Sequence, residues 1–282
     1  MDHAPGPDRG SATAIASAQG PALRDSAVVV AGIALLVGAG WAYLVLEAGR
    51  MQAGAGGMSG MGTMTMPSAL VAPGLHAWSP VDLLLLFTMW AIMMVAMMLP
   101  SATPMITLFA GVSRGRRQRG DAWVPTAVFV AGYILLWTSF AALAALAQWG
   151  LHRAALLSPM MRSTSPLLGG GLLIAAGIYQ FTPLKRACLS QCRSPLGFLS
   201  RHWREGVRGA LQLGVRHGTY CIGCCAVLMT LLFVLGVMNL LWIAAIAVFV
   251  LAEKVLPRGE WIARAAGVLL IGWGGWVVAG AL

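Results

Sequence analysis

The residues best suited to chemistry in this chain are its five cysteines, which form two groups. Cys221, Cys224 and Cys225 fall close together, and Cys188 and Cys192 lie upstream of them. Thiolates are soft ligands that suit Cu(I), Zn²⁺ and Fe–S clusters. Because spacings of three and four residues bring side chains to one face of a helix, each group can present its thiols together. The cysteines therefore predict a metal site, but they do not identify the metal.

The position of His217 and the spacing of the two groups extend this prediction. His217 lies one helical turn before Cys221, so we expect its imidazole to be a further metal ligand. The two groups flank one connection, residues 184–221, and could therefore meet in a single four-thiolate site. Two or three thiolates suit Cu(I), whereas four suit Zn²⁺ or an Fe–S cluster. The alternative is that the cysteines are small core residues; we favour metal because all five lie near one membrane face.

The upstream cysteines are predicted to lie on a short helix. Thr182 is a suitable N-cap and Pro183 a suitable first helical residue. The helix should end before Pro195, because the residue preceding a proline is pushed out of the helical region. Cys188 and Cys192 are then one turn apart on the same face.

Methionine is concentrated in a Gly-rich loop between the first two apolar stretches, residues 50–80. A flexible backbone with closely spaced thioethers can place two or three sulfurs around Cu(I), which suits soft, uncharged ligands. The alternative is a flexible linker in which methionine is incidental. We favour copper slightly, because methionine is so dense there. The candidate ligands in this loop are Met58, Met61, Met64 and Met66.

A second set of methionines lies in the second apolar stretch, where they form neighbouring stripes along a helix. They could pass a soft cation across the bilayer. Methionine also fills gaps between helices well, and these residues alone favour that packing role. Pro100 and Pro104 free backbone carbonyls that Ser101 or Thr103 could satisfy. The candidate ligands are Met93, Met94, Met97 and Met98.

The composition is that of a polytopic membrane protein. Hydrophobic residues make up 59% of the 282 residues and charged residues 10%, with a mean hydropathy of +0.78, whereas soluble domains carry about 25% charged residues. We predict an all-α transmembrane bundle of about seven helices in a single domain, residues 27–282, after a disordered tail, residues 1–26. The apolar stretches are residues 28–46, 83–109, 123–149, 167–181, 222–238, 240–251 and 262–282.

The basic residues predict the orientation, because most of them lie in the N-terminal tail and in the connections on one side of the bundle. Basic connections stay in the cytoplasm. The N-terminus is therefore expected inside and the C-terminus outside, in a bacterial cytoplasmic (inner) membrane. The cysteines then lie at the cytoplasmic end, where thiols stay reduced. The net charge of +10 reflects this topology, so we expect the lipid bilayer as a partner and no nucleic acid.

Two ionisable residues, Glu253 and Lys254, lie at the end of the sixth apolar stretch. Near the interface, Lys254 can extend to the membrane surface and Glu253 can meet arginines of the loops. Ionisable groups within a span are also functional candidates. We predict structural anchoring for both, with compensation of proton or metal charge as the alternative.

Four segments carry a resemblance to a known family. They are residues 90–104, with Trp-x-x-Met-x-x-Ala-Met-Met-x-Pro; residues 177–195, with Gly-Ile-Tyr-Gln-Phe-Thr-Pro-Leu-Lys and both upstream cysteines; residues 214–229, with His-Gly-Thr-Tyr-Cys and Gly-Cys-Cys; and residues 236–254, with Gly-Val-Met-Asn and Glu-Lys. In these segments the chain resembles a bacterial family of predicted metal-binding integral membrane proteins, some of whose members are labelled copper chaperones. The resemblance implies metal binding without implying a reaction. Ala226 departs from it, since an aromatic residue is expected there.

Together these features predict a membrane protein that handles Cu(I), by transporting it or by delivering it to a partner cuproprotein or copper chaperone. One alternative is a membrane subunit of an oxidoreductase with a Cys-ligated redox metal. Another is a structural zinc clamp that joins two helices. We expect no enzymatic activity, because the sequence offers no haem-ligand pair in its helices, no flavin or nucleotide fingerprint and no nucleophile triad.

Overall fold

The structure is a computed structural model that describes residues 9–56, 78–121, 123–154, 156 and 165–281, with side chains from residue 27 to 51 in the first of these ranges. Ten helices and no strand occur within them. The helices are α1 (Arg9–Gly56), α2 (Pro80–Gln118), α3 (Thr126–Arg153), α4 (Pro166–Tyr179), α5 (Pro183–Arg193), α6 (Pro195–His202), α7 (Gly206–Thr230), α8 (Leu232–Leu235), α9 (Leu240–Val255) and α10 (Gly259–Ala279).

Five helical stretches in the described ranges are long and apolar enough to cross a membrane. α4 and α5 pass the same test together, as a pair bent by 63°, which raises the number to six. α9 is outside this set because its 16 residues fall short of the roughly 17–25 that a span needs. A helical bundle is thus confirmed, while the count of seven, the orientation and the tail, residues 1–26, stay predictions. The five stretches are Ala27–Met51, Pro80–Gln118, Thr126–Arg153, Gly206–Leu235 and Gly259–Ala279.

α5 has the boundaries that the sequence predicts. Thr182 precedes it, and its hydroxyl oxygen accepts a hydrogen bond from the backbone N–H of Lys185 at 3.3 Å. Pro183 is the first helical residue, the helix ends at Arg193, and Pro195 begins α6. The buried face of α5 includes both upstream cysteines and packs against α7.

α2 continues without a break through its two internal prolines. The hydroxyls of Ser101 and Thr103 donate to the carbonyl oxygens of Met98 at 2.8 Å and Leu99 at 3.2 Å. These acceptors are not the carbonyls of Ala96 and Pro100, which Pro100 and Pro104 leave without a helical donor. The prediction that the two hydroxyls satisfy the freed carbonyls is therefore wrong, because each hydroxyl bonds within its own turn. Because α2 packs against α1, α3 and α9, its buried side chains lie at the centre of the bundle.

Glycines let two helix pairs approach backbone to backbone. A Cβ added at Gly177 of α4 would lie 2.7 Å from the carbonyl oxygen of Gly267 in α10, and one added at Gly274 would lie 2.7 Å from that of Gly170. Small residues allow membrane helices to pack this closely. α3 and α7 meet in the same way, since a Cβ at Gly214 would overlap a carbonyl of α3. The α3–α7 pair forms one wall of the candidate site.

Candidate metal-binding site

Cys221, Cys224 and Cys225 lie inside α7, and at most 1% of the surface of each is exposed. α7 begins at Gly206, about four turns before Cys221. The helix therefore begins well before the apolar stretch at residues 222–238 that the sequence shows, because the more polar residues 206–220 pack against α3 and belong to the same helix. Cys224 and Cys225 donate from Sγ to the carbonyl oxygen of Cys221, at 3.1 and 2.8 Å.

Lys254 of α9 is buried against Cys221. Its Nζ donates to the Sγ of Cys221 at 2.9 Å and to the Oγ of Ser101 in α2, also at 2.9 Å. The residue is only 7% exposed, so the expectation that Lys254 extends to the membrane surface is wrong. The reason is that α9 contacts both α2 and α7, and the side chain finds a hydroxyl and a thiol as acceptors between them.

Tyr133 of α3 contacts the same sulfur from another side. Its hydroxyl lies 3.1 Å from the Sγ of Cys221 and donates to the carbonyl oxygen of Met98 at 3.1 Å. The tyrosine ring is buried. The Cys221 sulfur is thus held between side chains from α3 and α9. Lys254 donates to it, whereas the single hydroxyl proton of Tyr133 goes to Met98, so the thiol of Cys221 is the donor towards the tyrosine oxygen.

The methionines of α2 meet the cysteines of α7 at one contact. The Sγ of Cys225 lies 3.8 Å from the Sδ of Met98. This distance places a thiol and a thioether beside each other in the interior of the bundle. The predicted thioether ligands of α2 are all buried, namely Met93, Met94, Met97 and Met98. The predicted loop ligands Met58, Met61, Met64 and Met66 lie outside the described residues.

The two cysteines of α5 face the cluster on α7. A Cβ added at Gly223 would lie 2.6 Å from the Sγ of Cys188, so the thiol occupies the space that this glycine leaves. The thiol of Cys192 interacts with that of Cys224. Tyr179, at the end of α4, donates its hydroxyl to the carbonyl oxygen of Gly223. The structure therefore brings the two cysteine groups together; that they share one ion stays a prediction.

His217 is buried one turn before Cys221, in a pocket of aromatic rings. The ring centroids of Phe129, Tyr133 and Phe198 lie 6.1, 5.7 and 5.4 Å from that of the imidazole. Its Nδ1 has no hydrogen-bond partner among the described residues. Since buried polar atoms are nearly always satisfied, an unpartnered imidazole nitrogen beside thiols is compatible with a metal ligand. The ligand role itself stays a prediction.

A buried ion pair lies beside the cluster. Glu253 of α9 accepts from the Nζ of Lys185 in α5, at 2.7 Å from Oε1 and 3.0 Å from Oε2. Both side chains are 1% exposed, and Lys185 also donates to Gln180 at the end of α4. The expectation that Glu253 meets arginines of the loops is therefore wrong. α5 folds back against α9, and this brings Lys185 to the carboxylate instead. The pair anchors α5 to α9.

The donor set suits a soft metal, although it is not already assembled around one point. All five cysteines are free thiols. In the described part of the chain, no three His, Cys, Asp or Glu side chains are arranged as a metal site. Two of the α7 thiols donate to a backbone carbonyl of the preceding turn, so their ligation as thiolates would remove these two hydrogen bonds.

Three contacts near the thiols were not foreseen: those of Tyr133 and Lys254 with the Sγ of Cys221, and that of Ser101 with Lys254. Ser101 and Tyr133 gave no signal, because a lone hydroxyl in an apolar helix is commonly a local backbone donor. Lys254 did give one, since a lysine at the end of an apolar stretch is rare enough to mark a functional position. Because Glu253 and Lys254 lie together near the membrane interface, both were expected to interact with the surface and the loops, and the buried arrangement was not predicted.

Comparison with known proteins adds one finding to this geometry. The family model PpoB2, described as copper chaperone, matches residues 87–277. The match covers more than half of the chain, including all five cysteines and the methionines of α2. It leaves out the Met-rich loop. No curated protein and no solved structure matches the chain.

Proposed function

Since the chain belongs to the PpoB2 copper chaperone family, we propose that it binds Cu(I) inside the membrane bundle and delivers it to a partner cuproprotein. The observation that carries this proposal is the contact between the Sδ of Met98 and the Sγ of Cys225, at 3.8 Å. It joins the buried methionines of α2 to the cysteines of α7. A soft ion can thus change ligands without leaving sulfur.

The chemistry of the two ligand types favours movement from α2 towards α7. A thioether is neutral and binds Cu(I) weakly, whereas a thiolate adds a negative charge to a soft donor. When a thiol becomes a thiolate ligand, it releases one proton. Cu(I) held by Met94, Met97 and Met98 is therefore expected to pass to Cys225 as this thiol replaces a thioether. Met93 extends the same path, one turn further from the cysteines.

The cysteines of α5 supply the exit in this proposal. Cys188 and Cys192 are each 9% exposed, which makes them more accessible than the three thiols of α7. They face α7 through Gly223 and Cys224. We infer that they take the ion from α7 and present it to the partner. His217, one turn before Cys221, is assigned as an additional ligand of the α7 group, since its Nδ1 has no hydrogen-bond partner in the part of the chain that the structure describes.

The proposal also covers the entry of Cu(I) and the location of the protein in the cell. The loop methionines Met58, Met61, Met64 and Met66 are assigned to capture of Cu(I) at the start of the path. The location in a bacterial inner membrane, with these methionines outside and the cysteines towards the cytoplasm, rests on the distribution of basic residues. Delivery is favoured over transport because the family description is that of a chaperone.

The first experiment is a Cu(I) competition assay on reduced, detergent-purified protein with a chromogenic Cu(I) chelator. Native protein is expected to hold exchangeable Cu(I), and Cys225→Ser to lose at least about tenfold in affinity. Met98→Leu, which conserves volume, should bind Cu(I) but exchange it more slowly. Met105→Leu is the matched control, because Met105 is equally buried in α2 and belongs to none of the proposed ligand sets. Native protein without bound Cu(I), or with only inert Zn²⁺, would overturn the proposal.

Delivery is separated from transport by a second assay. Cu(I)-loaded protein in detergent is mixed with a soluble copper-accepting protein, and the metal in each is measured after separation. Delivery predicts transfer without an intact bilayer, and slower transfer from Cys188→Ser/Cys192→Ser. Uptake of Cu(I) into vesicles that contain the protein, together with no transfer in detergent, would instead identify a transporter.

A further inference from the structure

Among the described residues, Lys254 is a buried cation that no carboxylate contacts. Its Nζ contacts Ser101 and Cys221, and no ion pair involving it occurs in the described ranges of the chain. The other buried lysine nearby, Lys185, is paired with Glu253 at 2.7 Å. The two lysines therefore differ: one belongs to a neutral pair, and the other adds a net positive charge to the cysteine cluster.

A lone charge inside a membrane bundle is expensive unless an anion lies next to it. Buried charges in proteins are paired, and removal of one partner leaves a large penalty. The two acceptors of Lys254 are a hydroxyl and a thiol, and of these the thiol is the one that can become an anion. The position of Lys254 thus points to a negative charge on the sulfur side of this contact.

We propose that Lys254 is the counter-ion that allows two thiolates, one of them Cys221, to bind a single Cu(I) in the bundle. The inference rests on the proposed function and adds to it a residue that determines the charge of the bound complex. Two thiolates and Cu(I) carry one net negative charge, which the ammonium of Lys254 balances. Each thiolate forms by loss of one thiol proton, so no oxidant or reductant takes part.

The charge balance also gives the site a preference among metals. With two thiolates, Zn²⁺ forms a neutral complex and would leave the ammonium unbalanced. Zn²⁺ reaches the same balance only with a third thiolate. Cu(I) with one thiolate and one thioether, such as Cys225 and Met98, is neutral and has no need of Lys254. Removal of the ammonium is therefore expected to shift the protein from the two-thiolate complex to this mixed complex.

The test compares Lys254→Met, Lys254→Gln and Lys254→Arg by Cu(I) competition and by thermal unfolding of the metal-free protein. We expect the two neutral variants to bind Cu(I) about thirtyfold more weakly or worse, which corresponds to about 2 kcal/mol. Lys254→Arg should retain most of the affinity, because it keeps the charge. Metal-free Lys254→Met should unfold at the native temperature or above, since an unbalanced buried charge has been removed.

Two controls separate charge from packing. Lys185→Met/Glu253→Gln removes a neighbouring ion pair of zero net charge, and Ser101→Ala removes a hydrogen bond of Lys254 while keeping its charge. Both are expected to bind Cu(I) with close to native affinity. If either loses as much affinity as Lys254→Met, the effect is one of packing and the proposal is wrong.

A mutant cycle with Cys221→Ser identifies the thiolate. If Lys254 acts through Cys221, then Lys254→Met/Cys221→Ser binds Cu(I) no more weakly than Cys221→Ser alone. Additive losses would overturn the proposal, as would Lys254→Met or Lys254→Gln with native affinity. These outcomes leave copper binding by the native protein intact. Native protein that fails to bind Cu(I) overturns the proposed function as well, so the two failures are distinguishable.

Discussion

Gly223→Ala is the most direct test of whether the two cysteine groups lie together. The new Cβ would lie 2.6 Å from the Sγ of Cys188, where ordinary contacts begin near 3.4 Å, so the thiol must move by about 0.8 Å or turn away. Overpacking of this kind costs about 1–3 kcal/mol. Replacement of a glycine by alanine inside a helix increases the free energy of unfolding by about 1 kcal/mol. The net loss of stability is therefore expected to lie between about 0 and 2 kcal/mol.

The control for the helical gain is Gly111→Ala in α2, because a Cβ there has nothing within 4 Å. In thermal unfolding, Gly111→Ala should be more stable than Gly223→Ala by about 1–3 kcal/mol in the free energy of unfolding. Gly223→Ala/Cys188→Ala should recover this difference, since the two Cβ atoms would lie at an ordinary 3.4 Å. Maleimide labelling, read by mass spectrometry, should find Cys188 more reactive in Gly223→Ala. Equal stability of the two alanine variants and an unchanged labelling rate would show that α5 does not lie against α7 as described.

Three further predictions concern the contacts around the site. Lys185→Met leaves Glu253 buried without its partner and should destabilise the protein by about 3–5 kcal/mol in thermal unfolding. Arg186, its exposed neighbour, is the control, and Arg186→Met should leave the unfolding temperature unchanged. Gly274→Ala should destabilise the α4–α10 contact by about 1–3 kcal/mol, whereas Gly275→Ala, with nothing within 4 Å, should not; equal effects would contradict this helix pairing. Tyr133→Phe removes the hydroxyl that contacts Cys221 and Met98, and should cost about 1 kcal/mol with a smaller loss of Cu(I) affinity than Cys221→Ser; native stability in urea titration would argue against both hydrogen bonds.

The features that the sequence predicted well are those set by local rules. The boundaries of α5 follow from Thr182, Pro183 and Pro195, whose preferences act within one turn of the chain. The spacing of the cysteines likewise places each group on one face, whatever the rest of the fold does. The apolar character of the chain predicts a membrane bundle from its composition alone.

The features that were missed depend on contacts between distant segments. The start of α7 at Gly206 is set by packing of a polar stretch against α3, which no local pattern reveals. Lys254 lies 33 positions from Cys221 along the chain. The packing of α9 against α7 brings them together, and no sequence motif predicts that contact. The ion pair of Lys185 and Glu253 depends in the same way on the 63° bend between α4 and α5, which folds α5 back onto α9.

Under the proposed function, the depth of the cysteines on α7 constrains how copper would leave the protein. Cys221, Cys224 and Cys225 are fully buried, so a partner protein cannot reach their sulfurs while the bundle is closed. Tight binding alone would therefore trap the ion, since a delivered metal must pass to a ligand that the partner can approach. We propose that α5 provides this step, because its two cysteines are the more exposed ones and Gly223 lets one of them lie against α7. Closure of that gap by an alanine should then slow release of Cu(I) to an acceptor more than it weakens binding, a difference that the transfer and competition assays measure separately.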